Sequence, residues 1–182
     1  LITAGYSGAY TNTTENWNGS SWTAGTASNT TRGYLGASGT TTDGLIYGGV
    51  PGATGNTEKY NGSSWTETGD LNTARRSGGQ SNLGSGSAAI FSGGNPPFYA
   101  NTEQFNGSSW SETTDLNTAR VHQWGMGTST AQIICGGAAS GTPHVANTES
   151  WNGSTWTEVN DLGTASLANA CAGGGTSTSA II

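Results

Sequence analysis

Short apolar runs that end in glycine punctuate the chain: LIYGG at 45–49, AIFSGG at 89–94 and IICGG at 133–137. After each come a polar stretch, an aromatic residue, an Asn-Gly-Ser tripeptide and a tryptophan. The runs are too short for helices, and no 3.6-residue apolar period links them, so the pattern predicts β-strands. Each unit is expected to hold four. The apolar run is the second strand. Residues 56–60 and 65–68 are a third and a fourth, joined across Asn61-Gly62, a pair that tolerates the positive φ of primed hairpin turns. Residues 75–83, crowded with small side chains, are the first and innermost strand of the next unit. The paired glycines are expected where backbones approach closely.

The units repeat. TTENWNGSSWTA (13–24), NTEKYNGSSWTE (56–67), NTEQFNGSSWSE (101–112) and NTESWNGSTWTE (147–158) align without gaps. The tryptophan after the turn falls at Trp22, Trp65, Trp110 and Trp156, spaced 43, 45 and 46 residues apart. That period is the length of a propeller blade, not of a helical-hairpin or leucine-rich repeat. The expected fold is all-β: one domain over residues 1–182, with four repeats of four-stranded antiparallel blades forming part of a larger or oligomeric ring. The units run approximately 1–30, 31–73, 74–118 and 119–164, and residues 165–182 are the first two strands of a further or ring-closing blade.

The two ends are alike. TSTSAII (176–182) aligns with TSTAQII (128–134), and the opening LITAG is also a second-strand sequence, so Leu1-Ile2 and Ile181-Ile182 are near-equivalent. The expectation is a segment of a longer repeat protein, or a protomer that completes its fold with copies of itself. The opening residues carry no methionine and no positive region of the kind that begins a signal peptide.

A double glycine after an apolar strand, then an aromatic, a tryptophan and an arginine, resembles the kelch repeat family of β-propellers. Gly48-Gly49, Tyr60, Trp65 and Arg75 fit that order, as do Gly93-Gly94, Phe105, Trp110 and Arg120, and Gly136-Gly137, Trp151 and Trp156. Ser166 departs from it, and the loop between aromatic and tryptophan is shorter than in most kelch repeats. The wording NGSSWTE…DLNTAR also resembles kelch-like repeats in structural proteins of marine bacteriophages. These resemblances imply a propeller and a structural role in a virion fibre, tail or capsid decoration.

Composition narrows the function. Eleven Asp plus Glu stand against five Lys plus Arg, and the densest basic pair is Arg75-Arg76. Nucleic-acid binding, which needs an electropositive footprint, is not expected. No apolar run approaches the roughly 18–20 residues of a membrane span, so no membrane insertion is expected. The two cysteines, Cys135 and Cys171, make no disulfide framework.

Residues present in every unit are expected to serve the framework. Glu15, Glu58, Glu103 and Glu149 recur at one position, and Arg32, Arg75 and Arg120 at another. They suit ion pairs or hydrogen bonds within or between blades, where the planar guanidinium matches carboxylate and carbonyl oxygens. Trp22, Trp65, Trp110 and Trp156 are expected to pack between blades. The Asn-Gly-Ser sequons at Asn18, Asn61, Asn106 and Asn152 are expected as turns, with glycosylation the alternative in a source that glycosylates secreted chains.

Residues that break the repeat are the candidates for binding. They are His122 and Trp124 on an inner strand, and Phe98 and Tyr99 in the unique loop NPPFYA (95–100). Trp65 and Trp110 join them as stacking residues under an alternative lectin reading. His122, His144, Cys135 and Cys171 are metal-capable types but lack motif spacing, and no metal or cofactor is expected. No catalytic motif is present, so the chain is expected to be non-enzymatic. The less favoured enzyme would be an oxidase with its site at the propeller axis, built from His122, Cys135 and Cys171. The expected function is a structural and interaction module making multivalent contacts with protein partners, copies of itself or surface glycans. An extracellular or virion-surface location is favoured.

Overall fold

Each Asn-Gly-Ser segment closes a four-residue hairpin loop. In the second unit Tyr60 faces Trp65 across the hairpin. Between them Asn61 N donates to Ser64 O at 3.2 Å, and Asn61 Oδ1 accepts from Ser63 N (3.0 Å) and Ser64 N (2.9 Å). Gly62 alone takes positive φ, +96°. The sequence suggested that both residues of the pair would do so. Asn61 serves instead as the acceptor that folds the loop, a side-chain mimic of a backbone turn. Asn18, Asn106 and Asn152 make the same bonds.

The computed structural model describes residues 1–167 and 174–181. Among them the structure is all-β, a series of small antiparallel sheets without a helix. The first sheet has three strands: β1 (Ile2–Tyr6), β2 (Tyr10–Trp17) and β3 (Trp22–Gly25). The second orders β4 (Gly36–Gly39), β5 (Gly44–Tyr47), β6 (Thr57–Tyr60) and β7 (Trp65–Glu67) side by side. The third does the same with β8 (Gly79–Gln80), β9 (Ala89–Gly94), β10 (Tyr99–Phe105) and β11 (Trp110–Glu112). A two-stranded ladder pairs β12 (Arg120–Val121) with β15 (Ala138–Ala139). The fourth sheet orders β13 (Trp124–Gly127), β14 (Gln132–Cys135), β16 (Thr148–Trp151) and β17 (Trp156–Val159). Last comes a hairpin, β18 (Gly174–Thr176) with β19 (Ser179–Ile181).

β1 takes a second-strand place: Ile2 faces Glu15 as Ile46 faces Glu58 and Ile134 faces Glu149. The Leu1-Ile2 half of the expected end-equivalence is thus described, whereas Ile182 lies outside the described residues.

The first strands are shorter than the sequence suggested. Residues 75–83 contribute only Gly79–Gln80 to a sheet. Two residues past each arginine, Tyr34, Ser77 and His122 sit at φ 55°, 56° and 55°. This left-handed conformation turns the chain before the strand can begin. The strands that follow pack on one another in series, β4 against β8 and β8 against β13.

The core lies between successive sheets. Leu45, Tyr47 and Leu71 pack with Phe91, Phe105 and Trp110 between the second and third. Ile90 and Leu116 meet Ile134, Trp151 and Trp156 between the third and fourth. Each buried side chain of this size contributes about 1.5–3 kcal/mol, so every sheet depends on its neighbour.

The double glycines do what their spacing implied. Gly48, Gly93 and Gly136 have φ of +68°, +65° and +67°. A Cβ there would lie 2.5, 2.6 and 2.8 Å from the carbonyl oxygens of Arg75, Arg120 and Ser166. The following link therefore passes directly over the glycine. Ala4 occupies the corresponding place in the first sheet at φ 61°. Gly93→Ala should destabilise by more than about 1 kcal/mol in urea unfolding, because it adds the backbone clash to the left-handed penalty. Gly52→Ala, also at positive φ (+64°) but facing open space, should cost less; equal losses would overturn this account.

Candidate functional site

Among the described residues three buried ion pairs recur, one per four-stranded sheet: Arg32 with Glu58 (2.8 Å), Arg75 with Glu103, and Arg120 with Glu149 (2.8 Å). In each the arginine lies on the link that enters the sheet and the glutamate on its third strand. Burial draws the guanidinium of each below its ordinary value, and the partner carboxylate opposes that shift. The carboxylates also hold the link backbone. Glu58 accepts from Asn29 N (2.6 Å) and Thr30 N (3.2 Å). Glu103 accepts from Asn72 N (2.7 Å) and Thr73 N (3.2 Å), and Glu149 from Asn117 N (2.8 Å). Arg75 also donates to Gly93 O (2.9 Å), Thr73 O (3.1 Å) and Phe91 O (2.8 Å). These residues are committed to the framework. Glu15 stands apart, exposed and with no arginine.

The tryptophans connect neighbours. Trp65 Nε1 donates to Thr26 O, Trp110 Nε1 to Thr57 Oγ1 and Trp156 Nε1 to Thr102 Oγ1, all at 3.0 Å. Trp65 and Trp110 are only 6% and 4% exposed. A sugar-stacking platform needs an open ring face, and these two rings have none to offer.

The variable residues gather at one end of the sheets. There the turns after each arginine bridge to the loops between second and third strands: Gly33 to Val50, Arg76 to Asn95, and Val121 to Ala138. Ser77 N donates to Tyr34 O (3.0 Å) and His122 N to Ser77 O (2.8 Å), so three non-equivalent side chains stand in a row. The loops 50–56, 95–100 and 138–146 start at those bridges, each joined to the residue just before a member of the row. Phe98 is exposed and Tyr99 half-buried, while Arg76 Nε donates to Asn95 Oδ1 at 3.3 Å. The opposite end carries the uniform turns, with Gly62 beside Thr42, Gly107 beside Ser87 and Gly153 beside Thr130. Phe98, Tyr99 and His122 thus belong to one end surface, and Tyr34 and Arg76 join it. The signal for these two was present, since Arg76 breaks the repeat one residue after its arginine and Tyr34 two residues after.

Trp124 does not belong there. It is buried against Met126 and Cys135. Cys135 is a free thiol, also buried, and burial raises its pKa to about 11, which makes it a poor thiolate nucleophile at neutral pH. His144 is exposed on its loop, and Cys171 lies outside the described residues. Among the described residues, no three metal-capable side chains come together. No helix there is long and apolar enough to cross a membrane.

Comparison of the chain with protein-family models and with curated proteins gives no match.

Arg75→Ala should cost about 3–5 kcal/mol in urea unfolding, because it strands the buried Glu103 carboxylate. A loss under 1 kcal/mol would show the pair to be dispensable. His122 is held below its ordinary pKa of 6.5 by burial and by Arg76. The unfolded chain therefore takes up the proton first, so stability should fall as pH drops below about 6.5. His122→Asn should flatten that part of the profile in unfolding measurements from pH 7.5 to 5. In a Cys171→Ala background, Cys135 should resist iodoacetamide at pH 7.5 and react once urea unfolds the chain.

Proposed function

We propose that the chain is a kelch-like β-propeller module, built from repeated four-stranded blades, with a structural and interaction role and no catalytic one. The observation that carries this reading is a division of labour. The glutamates and arginines that recur in the four-stranded sheets are spent on internal bonds, while the loops that differ between units collect at one end. A rigid array presenting several unlike loops suits multivalent contact, in which weak contacts add through effective concentration. The partners would be other proteins, or copies of the same chain. The resemblance to marine bacteriophage structural repeats favours the exterior of a virion as its place: a fibre, a tail or a capsid decoration.

A second reading, glycan binding, is favoured by exposed aromatics at the variable end, Tyr34 at 54% and Phe98 at 38% exposed. They have the open faces that Trp65 and Trp110 lack.

Immunogold labelling of intact particles with an antibody against residues 95–100 tests the first reading, and regular external decoration is the expected result. Label confined to a cellular complex would overturn the virion placement. A glycan panel separates the second reading. Binding that disappears in both Tyr34→Ala and Phe98→Ala would make the chain a lectin, and the structural reading expects none.

A further inference from the structure

Four of the five lysine and arginine side chains already face a carboxylate. Arg32, Arg75 and Arg120 pair with buried glutamates, and Lys59 lies 3.9 Å from Asp43. Arg76 is the exception. Among the described residues, which include all eleven Asp and Glu, no carboxylate pairs with it. Acids outnumber cations by more than two to one in this chain, so the unpaired guanidinium reflects where it is placed and not a shortage of partners.

That placement is fixed. Arg76 lies on the link into the third sheet, whose inner strand packs against β4 on one side and β13 on the other. Arg76 N donates to Asn95 O and Asn95 N to Arg76 O, both at 3.0 Å, and Arg76 Nε donates to Asn95 Oδ1 at 3.3 Å. The side chain is thus held by its inner nitrogen. Its terminal nitrogens, which form the fork that grips a carboxylate, have no partner among the described residues.

The surroundings are polar but uncharged. Ser77 follows Arg76, and His122 is joined to it through the His122 N to Ser77 O bond. Both are half-buried, and neither the Ser77 hydroxyl nor the His122 ring makes a hydrogen bond among the described residues. Burial and the Arg76 charge hold His122 below its ordinary pKa, so at neutral pH its ring offers one donor and one acceptor. Asn95 and Phe98 share one tight loop, closed where Tyr99 faces Gly94. The Phe98 ring is 38% exposed.

One cation among neutral donors and acceptors selects its ligand. A phosphate or a run of carboxylates brings more charge than a single guanidinium can match. A neutral sugar leaves the fork to water. A sugar ring bearing one carboxylate satisfies the whole set: the carboxylate suits the fork, hydroxyls suit Ser77 and His122, and the C–H face of the ring suits Phe98.

We infer that Arg76, Ser77, His122 and Phe98 form a site for a hexuronic acid residue, its carboxylate held by the Arg76 guanidinium. This rests on the glycan reading of the variable end and narrows it to acidic sugars.

The test is isothermal titration calorimetry on the full gene product with a hexuronic-acid oligosaccharide and with its carboxyl-reduced counterpart. The two differ only in the group that Arg76 holds. The acidic form should bind about ten-fold more tightly. Arg76→Gln should abolish that preference, while affinity for the reduced form and the urea unfolding midpoint stay unchanged. Arg76→Lys keeps the charge without the fork and should retain part of the preference. Phe98→Ala should weaken both forms alike. Equal affinity for the two forms, or a preference that survives Arg76→Gln, would overturn the inference and leave the glycan reading standing. Failure to bind any sugar on a broad panel would overturn both. Displacement of the uronate by an oligoglutamate peptide of equal affinity would mark a site indifferent to the sugar ring, and would overturn the inference as well.

Discussion

A guanidinium and a carboxylate taken wholly out of water set the terms for the rest of this structure. Desolvating such a pair costs several kcal/mol per ion, and their attraction offsets that cost only where nearly every remaining donor and acceptor is also paired. At Arg75 the surroundings meet that demand: carbonyls of Gly93, Thr73 and Phe91 take its other N–H groups, and the Phe91 ring lies 5.0 Å below it. Glu103 is completed by two amides of the incoming link. The pair therefore fixes the path of the link, the start of the second strand and the height of the third. It requires the double glycine as well, because the link backbone must pass where a Cβ would otherwise stand.

A second kind of bond carries order from one sheet to the next. The indole N–H of Trp65, Trp110 and Trp156 each reaches a threonine of the preceding unit, while its ring fills the space between the two sheets. Each unit thus depends mainly on its neighbours, as in other repeat architectures where stability is a sum of unit and nearest-neighbour contributions. Such an arrangement separates framework from surface. The loops at the variable end are attached by backbone bridges whose bonds do not depend on side-chain identity, so their residues can change at little cost to the core.

Much of this was legible in the sequence because the repeat acts as an internal control. The period of 43 to 46 residues, the hairpins, the close approach at the double glycines and the structural role of the arginines and glutamates all follow from chemistry that recurs. What stayed hidden was conformational or contextual. Tyr34, Ser77 and His122 share a left-handed backbone that no common side-chain chemistry announces, so the first strands looked longer than they are. Asn61 looked like a positive-φ residue and proved to be a hydrogen-bond acceptor. Trp124 broke the repeat and looked like a ligand contact, yet its ring fills a core beside Met126 and Cys135. The row of Tyr34, Ser77 and His122 exists only once three units are stacked, which spacing along the chain does not display.

Trp22 and Trp110 show most directly how far identity of sequence is from identity of role. Both sit in the same NGSSW hairpin, with an aromatic partner across the strands, Trp17 for one and Phe105 for the other. One is nearly sealed and bonded to Thr57, and the other is half open. The difference comes from what lies against them. Exposure is therefore set by what surrounds a residue and not by its place in the repeat. The loops at the variable end show the converse: there the backbone bridges recur while the side chains differ, so any specificity they carry is one that the framework does not dictate.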